Sequence, residues 1–278
     1  MWRCGRRSQY LRTSTFQSLT RCCLRCSSSR AEDASSLVDF SRLPSACVAG
    51  PASFGISIVR NFVASQSEQD SLLAECSERL SRRRFERSHW DGVITGFRED
   101  SVPLANAGPA LRTAVARAWA YFPPAGGAPL PFAHLLELEP AGYISRHVDS
   151  VKFSGGVVAG ICLASDAVMR LYPVADGSDG NESGSGGTSS GVGGESSSEG
   201  EPGTVDLLLE RGCLYVMSGE CRYHWAHAVL KGTTSFRGKP VARGRRVSII
   251  LRDELLPNAA ASVPFRGSLA EEVLRVKA

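Results

Sequence analysis

Along the second half of the chain the apolar positions come in short runs. They are FAHLLELEP (132–140), GGVVAGICLA (155–164), AVMRLYPV (167–174), TVDLLLE (204–210), CLYVMSG (213–219), CRYHWAHAVL (221–230) and RRVSIILRDEL (245–255). Gly, Pro, Asp and Ser separate them, the spacing of strands folded into a sandwich or barrel. The first half has a different period. ISIVRNFV (56–63) predicts a first strand, and Leu72, Leu73, Cys76 and Leu80 then fall on one helical stripe behind a Ser65/Glu68 capping-box spacing. Leu111, Val115, Ala118, Trp119 and Phe122 share the face of a second helix over 109–122, stopped by Pro123 and Pro124. Helices ahead of many short strands predict an α+β fold, a double-stranded β-helix (jelly-roll) barrel with supporting N-terminal helices.

One tract interrupts the strands. Residues 176–203 hold no large apolar side chain beyond Val192, so burial cannot offset the entropy of ordering them, and a disordered loop is expected. The flanking strands can still be neighbours, because loop-closure entropy grows slowly with length. A barrel domain is therefore expected over 53–256, with a linker at 31–52 before it and a tail at 257–278 after it. Residues 1–30 carry seven Arg, many Ser, no acid and no apolar centre, the composition of a mitochondrial targeting peptide that delivers to the matrix. A disordered basic arm or a plastid address would have the same composition.

Charge changes the picture once it is divided. The net charge of +4 loses the leader's seven Arg and the insertion's six acidic residues to leave +3 on the folded part. That is far below the basic footprint of a dedicated nucleic-acid binder. No apolar run approaches the roughly 20 residues of a membrane-spanning helix. Nine scattered cysteines suit a reducing compartment, and the CxxC of Cys23 and Cys26 lacks the four ligands of a zinc site.

Among five histidines, His147 stands two residues from Asp149, so on a strand both side chains leave one face and can converge on one ion. Two imidazoles and one carboxylate suit Fe(II) with coordination positions left open, and the second imidazole must come from elsewhere. In RRVSIILR, Arg246, Ser248, Ile250 and Arg252 alternate with Val247, Ile249 and Leu251. A buried guanidinium demands an anion, and a dicarboxylate would satisfy two; otherwise both arginines reach solvent from the strand ends.

The ordered set HVD (147–149), RYHWAH (222–227) and RVSIILR (246–252) resembles the AlkB family of Fe(II)/2-oxoglutarate dioxygenases, whose motif is H-x-D, a distal His and R-x5-R. RRRFERSHWDGVITGFRE, GYISRHVDSVKFSGGVVAGICLAS, VMRLYPV and LERGCLYVMSGECRYHWAHAVL extend the likeness from about Ile56 to Leu255, and point to the family's mitochondrial branch. The resemblance implies Fe(II) on His147, Asp149 and His227, with 2-oxoglutarate and O2 as cosubstrates. It implies Arg246 on the C5 carboxylate, Arg252 near the C1 end, a hydroxyl hydrogen bond from Tyr215, and Val247 and Ser248 lining the same region. His227 is preferred over His224 because residues 224 and 227 of one strand face opposite sides, and because Arg222, Trp225 and His227 match the family's R-x-x-W-x-H. His224 is then expected on the outer face, packed or partly exposed.

For the substrate, the segment from Arg98 to Pro131 is short and rich in Ala, Pro and Gly, and the family's Asn and Tyr before the motif fall at Leu136 and Leu138. Duplex DNA is not expected. The resemblance implies hydroxylation of a protein in the mitochondrial matrix, with roles in fatty-acid metabolism and in programmed necrosis after alkylation damage. Demethylation of mitochondrial RNA, tRNA in particular, is the rival reading, and a jelly-roll scaffold without turnover is the third.

Overall fold

The computed structural model describes residues 36–47, 50–124, 126–151, 154–175, 201–257 and 263–277. The leader with its CxxC and nearly all of the 176–203 tract lie outside the described residues. The elements are β1 (Val38–Asp39), α1 (Pro51–Phe54), β2 (Ile56–Val59), α2 (Gln66–Leu80), β3 (Glu86–Ser88), β4 (Ile94–Pro103), α3 (Pro109–Trp119), β5 (Phe132–His147), β6 (Val157–Leu163), β7 (Ala167–Pro173), β8 (Val205–Leu209), β9 (Leu214–Ser218), α4 (Gly219–Tyr223), β10 (Trp225–Val229), β11 (Thr234–Phe236), β12 (Lys239–Val241), β13 (Arg246–Arg252) and α5 (Leu269–Lys277). None of these helices is long and apolar enough to cross a membrane.

Eleven strands curl into one antiparallel sheet in the order β1-β8-β7-β10-β5-β13-β6-β9-β2, with β4 beside β5 and β3 beside β4, while β11 and β12 pair separately. β5 is the seam of this double-stranded β-helix. Its first half pairs with β13, with Leu138 opposite Arg246, and its last residues pair with β10, with His147 opposite His227. The sequence pattern separates FAHLLELEP from GYISRH at a turn signal, but β4 runs beside both and keeps them one strand. The corner depends on two glycines. Gly96 has φ +63°, and a Cβ on Gly142 would lie 2.4 Å from the Gly96 carbonyl oxygen.

β13 shows why the barrel has two different sides. Val247, Ile249 and Leu251 enter a layer with Leu72, Cys76 and Leu80 of α2 and Leu111, Val115 and Ala118 of α3. Its other face looks into the barrel, which Leu136, Leu138, Cys162, Met169, Leu171, Leu207, Tyr215 and Trp225 fill. Ser65 caps α2 by accepting from the Glu68 N–H at 3.1 Å, as its spacing predicts. On the far side of the barrel, Arg170 donates to Asp206 at 2.8 and 3.1 Å, and Arg42 lies 2.8 Å from the same carboxylate.

Four expectations change. The linker contains β1, which pairs with β8 and buries Leu37 and Val38, and the tail contains α5, which sends Leu269, Ala270 and Val273 into the barrel-side core. CRYHWAHAVL is not one strand: Cys221–Tyr223 end α4, His224 caps it, and β10 starts at Trp225. Strand parity therefore does not relate His224 to His227. Asp149 likewise stands in the loop after β5, not on a strand with His147.

Candidate active site

Register across the β5/β10 pair sets His147 beside His227, with ring centroids 4.2 Å apart. Asp149 returns to them from its loop, with Oδ2 3.7 Å from His227 Nε2. One donor atom from each of the three residues lies within 4.8 Å of the others. The loop is held from two sides. Arg222 of α4 is buried and donates to the carbonyls of Asp149 (3.0 Å), Gly155 (3.2 Å), Ser154 (3.3 Å) and Ser150 (3.5 Å). Asp253, just past β13, accepts the N–H groups of Val157 and Gly127, each at 2.8 Å.

The electrostatics suit a cation. Burial, reinforced by His147, pushes the His227 ring down to about 3, so it offers a lone pair at neutral pH. Burial alone would raise Asp149, but Arg252, His227, His147 and Arg222 outweigh it and hold the carboxyl well below the usual carboxylate range. His147 Nδ1 donates to the Ser145 carbonyl at 2.9 Å, which leaves Nε2 as the lone-pair nitrogen. Two imidazoles and one carboxylate match the donor chemistry of a 2-His-1-carboxylate iron site.

No family model matches the chain. Two curated relatives do. The chain is similar to the mitochondrial alpha-ketoglutarate-dependent dioxygenase alkB homolog 7 of Bos taurus, 38% identical over 199 residues, which span 70% of this chain and 77% of the relative. The namesake in Mus musculus is 36% identical over 197 residues with the same coverage. The chain belongs to the AlkB family of alpha-ketoglutarate-dependent dioxygenases.

As an AlkB-family member the protein is an oxidoreductase that uses Fe(II), 2-oxoglutarate and O2, and it is mitochondrial like its relatives. Looser overlaps exist with OsALKBH1 (TM-score 0.43, 14% identity, 72% of this chain, 97% of that one) and with a Pseudomonas putida prolyl-4-hydroxylase (0.42, 17%, 73%, 95%). A Trichoplax adhaerens prolyl hydroxylase complexed with a peptide from hypoxia inducible factor gives 0.45 and 14%, covering 77% and 89%. Overlaps this loose bear on neither substrate nor site.

Within this AlkB-family barrel Arg246 and Ser248 stand together on β13, and the buried Tyr215 feels the charges of both Arg246 and Asp149. Arg246 is 2% exposed, donates to Ser248 Oγ at 3.0 Å and reaches Cys162 Sγ at 3.8 Å. Its Nε has no partner, and no carboxylate pairs with it among the described residues. Tyr215 is buried with its ring against Gly160, where a Cβ would come within 2.4 Å. Burial raises the Tyr215 hydroxyl and keeps it a donor. Arg252 donates to Asp149 Oδ1 at 2.9 Å, so the second arginine of the motif already has an anion. Val247 turns its side chain into the helix layer and leaves only its backbone to the pocket. Leu136 and Leu138 stand across β5 from Ser248 and Arg246 as an apolar flank.

His224 is packed elsewhere: Nε2 donates to the Val263 carbonyl at 2.8 Å, and the ring meets Phe265 edge-on. The Trp225 indole donates to Glu220, whose same carboxylate oxygen accepts from Ala270 N–H at the start of α5. Sequence reasoning placed Arg222 and Trp225 only as a family lead-in to His227. It missed the clamp on the Asp149 loop, for which a charged residue in an apolar run was the available signal.

Proposed function

We propose that His147, Asp149 and His227 hold Fe(II), that Arg246 takes the C5 carboxylate of 2-oxoglutarate, and that the C–H bond attacked belongs to a protein of the mitochondrial matrix. The observation that carries this reading is Arg246, a buried guanidinium with an unpartnered Nε and, among the described residues, no carboxylate, on the strand that pairs with β5, which ends at His147. When bound, iron and cosubstrate supply the oxidising power, converting 2-oxoglutarate and O2 to succinate and CO2 as one oxygen atom goes to the substrate. The chain's own groups orient and exclude. Ser248 and Tyr215 would add hydroxyl hydrogen bonds beside Arg246, Arg252 would steady Asp149 near the C1 end of the cosubstrate, and Leu136 and Leu138 would keep water from its middle.

A protein substrate is favoured by an exposed strand edge. β3 is an edge strand with all three residues exposed, and its hairpin with β4 is tied by the Ser145 N–H to the Val93 carbonyl, two residues before His147. Such an edge offers main-chain hydrogen bonds to an extended peptide. Trp90, 90% exposed at the hairpin tip, with Arg84 and Arg87 nearby in sequence and exposed, supports RNA as the second reading, since bases stack on aromatics beside basic residues. The roles in fatty-acid metabolism and in necrosis after alkylation damage follow from the family likeness, and residues 1–30 would supply the address.

Succinate formation with Fe(II), 2-oxoglutarate and O2 is expected to rise on adding matrix protein, with hydroxylated peptide found by mass spectrometry. A rise with methylated tRNA and release of formaldehyde instead would replace protein by RNA. His227→Ala is expected to empty the site of iron. Residues 1–40 fused to a fluorescent reporter are expected in mitochondria, and cytosolic fluorescence would remove the address.

A further inference from the structure

The barrel interior holds a second reactive group that the reaction above does not use. Cys162 of β6 faces inward against Arg246, whose Nη2 lies 3.8 Å from its sulfur. Its N–H donates to the Cys213 carbonyl at 2.9 Å, and the Gly212 N–H returns to the Cys162 carbonyl at 2.7 Å. The two cysteines are thus direct neighbours at the end of the β6/β9 pair, and both side chains enter the barrel-side core. Bonded strands lie about 4.7–4.9 Å apart, inside the roughly 4.4–6.8 Å that a disulfide spans between Cα atoms. Both thiols are free and buried.

We propose that Cys162 and Cys213 form an oxidisable thiol pair in the wall of the 2-oxoglutarate pocket, closed to a disulfide by peroxide when the pocket is empty and protected when a dicarboxylate occupies Arg246. The proposal rests on Arg246 as the cosubstrate's anchor. In the empty pocket the guanidinium faces sulfur and favours its anion. The hydrogen bond from Cys213 and the Arg246 charge outweigh burial and bring the Cys162 thiol down to about 7, whereas burial pushes the Cys76 thiol up to about 12. A bound carboxylate takes the guanidinium and disfavours a second anion beside it. Reciprocity then requires the thiolate to weaken the dicarboxylate by the same factor.

The chemistry balances with hydrogen peroxide as oxidant. The Cys162 thiolate attacks one peroxide oxygen and breaks the O–O bond, giving a sulfenic acid and a hydroxide that takes a proton to become water. The Cys213 sulfur then attacks Cys162, the S–O bond breaks, and a second water leaves with the thiol proton. The two sulfurs lose two electrons and the peroxide gains two.

The test uses the full chain loaded with Mn(II), which does not turn over, treated with hydrogen peroxide and digested without reductant. A peptide linking Cys162 to Cys213 is expected from the empty chain, at least about tenfold slower with saturating 2-oxoglutarate. Arg246→Met should abolish that protection. Cys213→Ser should instead trap a dimedone adduct on Cys162. Absence of both linked peptide and adduct overturns the pair. Equal rates with and without 2-oxoglutarate, while calorimetry shows it bound, overturn the placement in the pocket wall. If calorimetry shows no binding, the reading of Arg246 fails and takes the protection with it, and the linked peptide alone then judges the pair.

Discussion

Two buried arginines on opposite sides of the barrel, Arg170 and Arg246, are equally hidden and differently served. Arg170 grips Asp206 with two hydrogen bonds, and Arg42 backs the same carboxylate. Arg246 has a serine, a cysteine sulfur and an idle Nε. A buried cation completed by its own chain is architecture; one left incomplete is what the proposed 2-oxoglutarate contact would complete.

The largest effect should fall on the completed site. Asp206→Ala strands Arg170 and is expected to cost about 3–5 kcal/mol in urea unfolding, whereas Arg246→Met should stay within about 1 kcal/mol of the parent because no pair is broken. Equal losses at both would break the comparison. Next in size, Arg246→Met should weaken 2-oxoglutarate by roughly 10–100-fold in calorimetry, the scale of one or two hydrogen bonds to a charged group. Arg222→Lys sharpens the contrast from a third side. A single ammonium cannot reach four carbonyls, so Mn(II) affinity should fall by about tenfold, as when outer-shell partners are lost. The smallest change belongs to His224→Ala. It should lose about 1 kcal/mol with its bond to Val263 and keep its iron; loss of iron there would return His224 to the site.

The same contrast explains what the sequence could tell. Alternation in RRVSIILR marked Arg246 as inward because a period of two survives folding, and H-x-D with a distal His pointed to three residues whose donor atoms stand together. Which arginine stays unpaired was not legible, since Asp149 reaches Arg252 only through a loop whose path Arg222 and Asp253 set. CRYHWAHAVL reads as a strand because its apolar content is high. The turn of helix inside it follows Gly219, at φ +51°, a tertiary choice that local propensity does not reveal. His227, not His224, stands with His147 and Asp149, but strand parity is not the reason, since His224 lies outside β10. β1 is two residues long and gives no periodic signal. α5 carries one only in Leu269, Ala270 and Val273, a single turn's worth.

The sheet order also sets a timetable. β1 and β2, the first strands to be made, find their partners in β8 and β9, beyond the long Gly/Ser tract, so Val38 waits for Leu207 and Ile56 for Met217. Pairings so distant along the chain make for slow closure, and until then the early strands carry open edges that invite other chains. A polypeptide threaded N-terminus first must therefore be kept from aggregating until most of it has emerged. The barrel that encloses the iron site is among the last things this chain can complete.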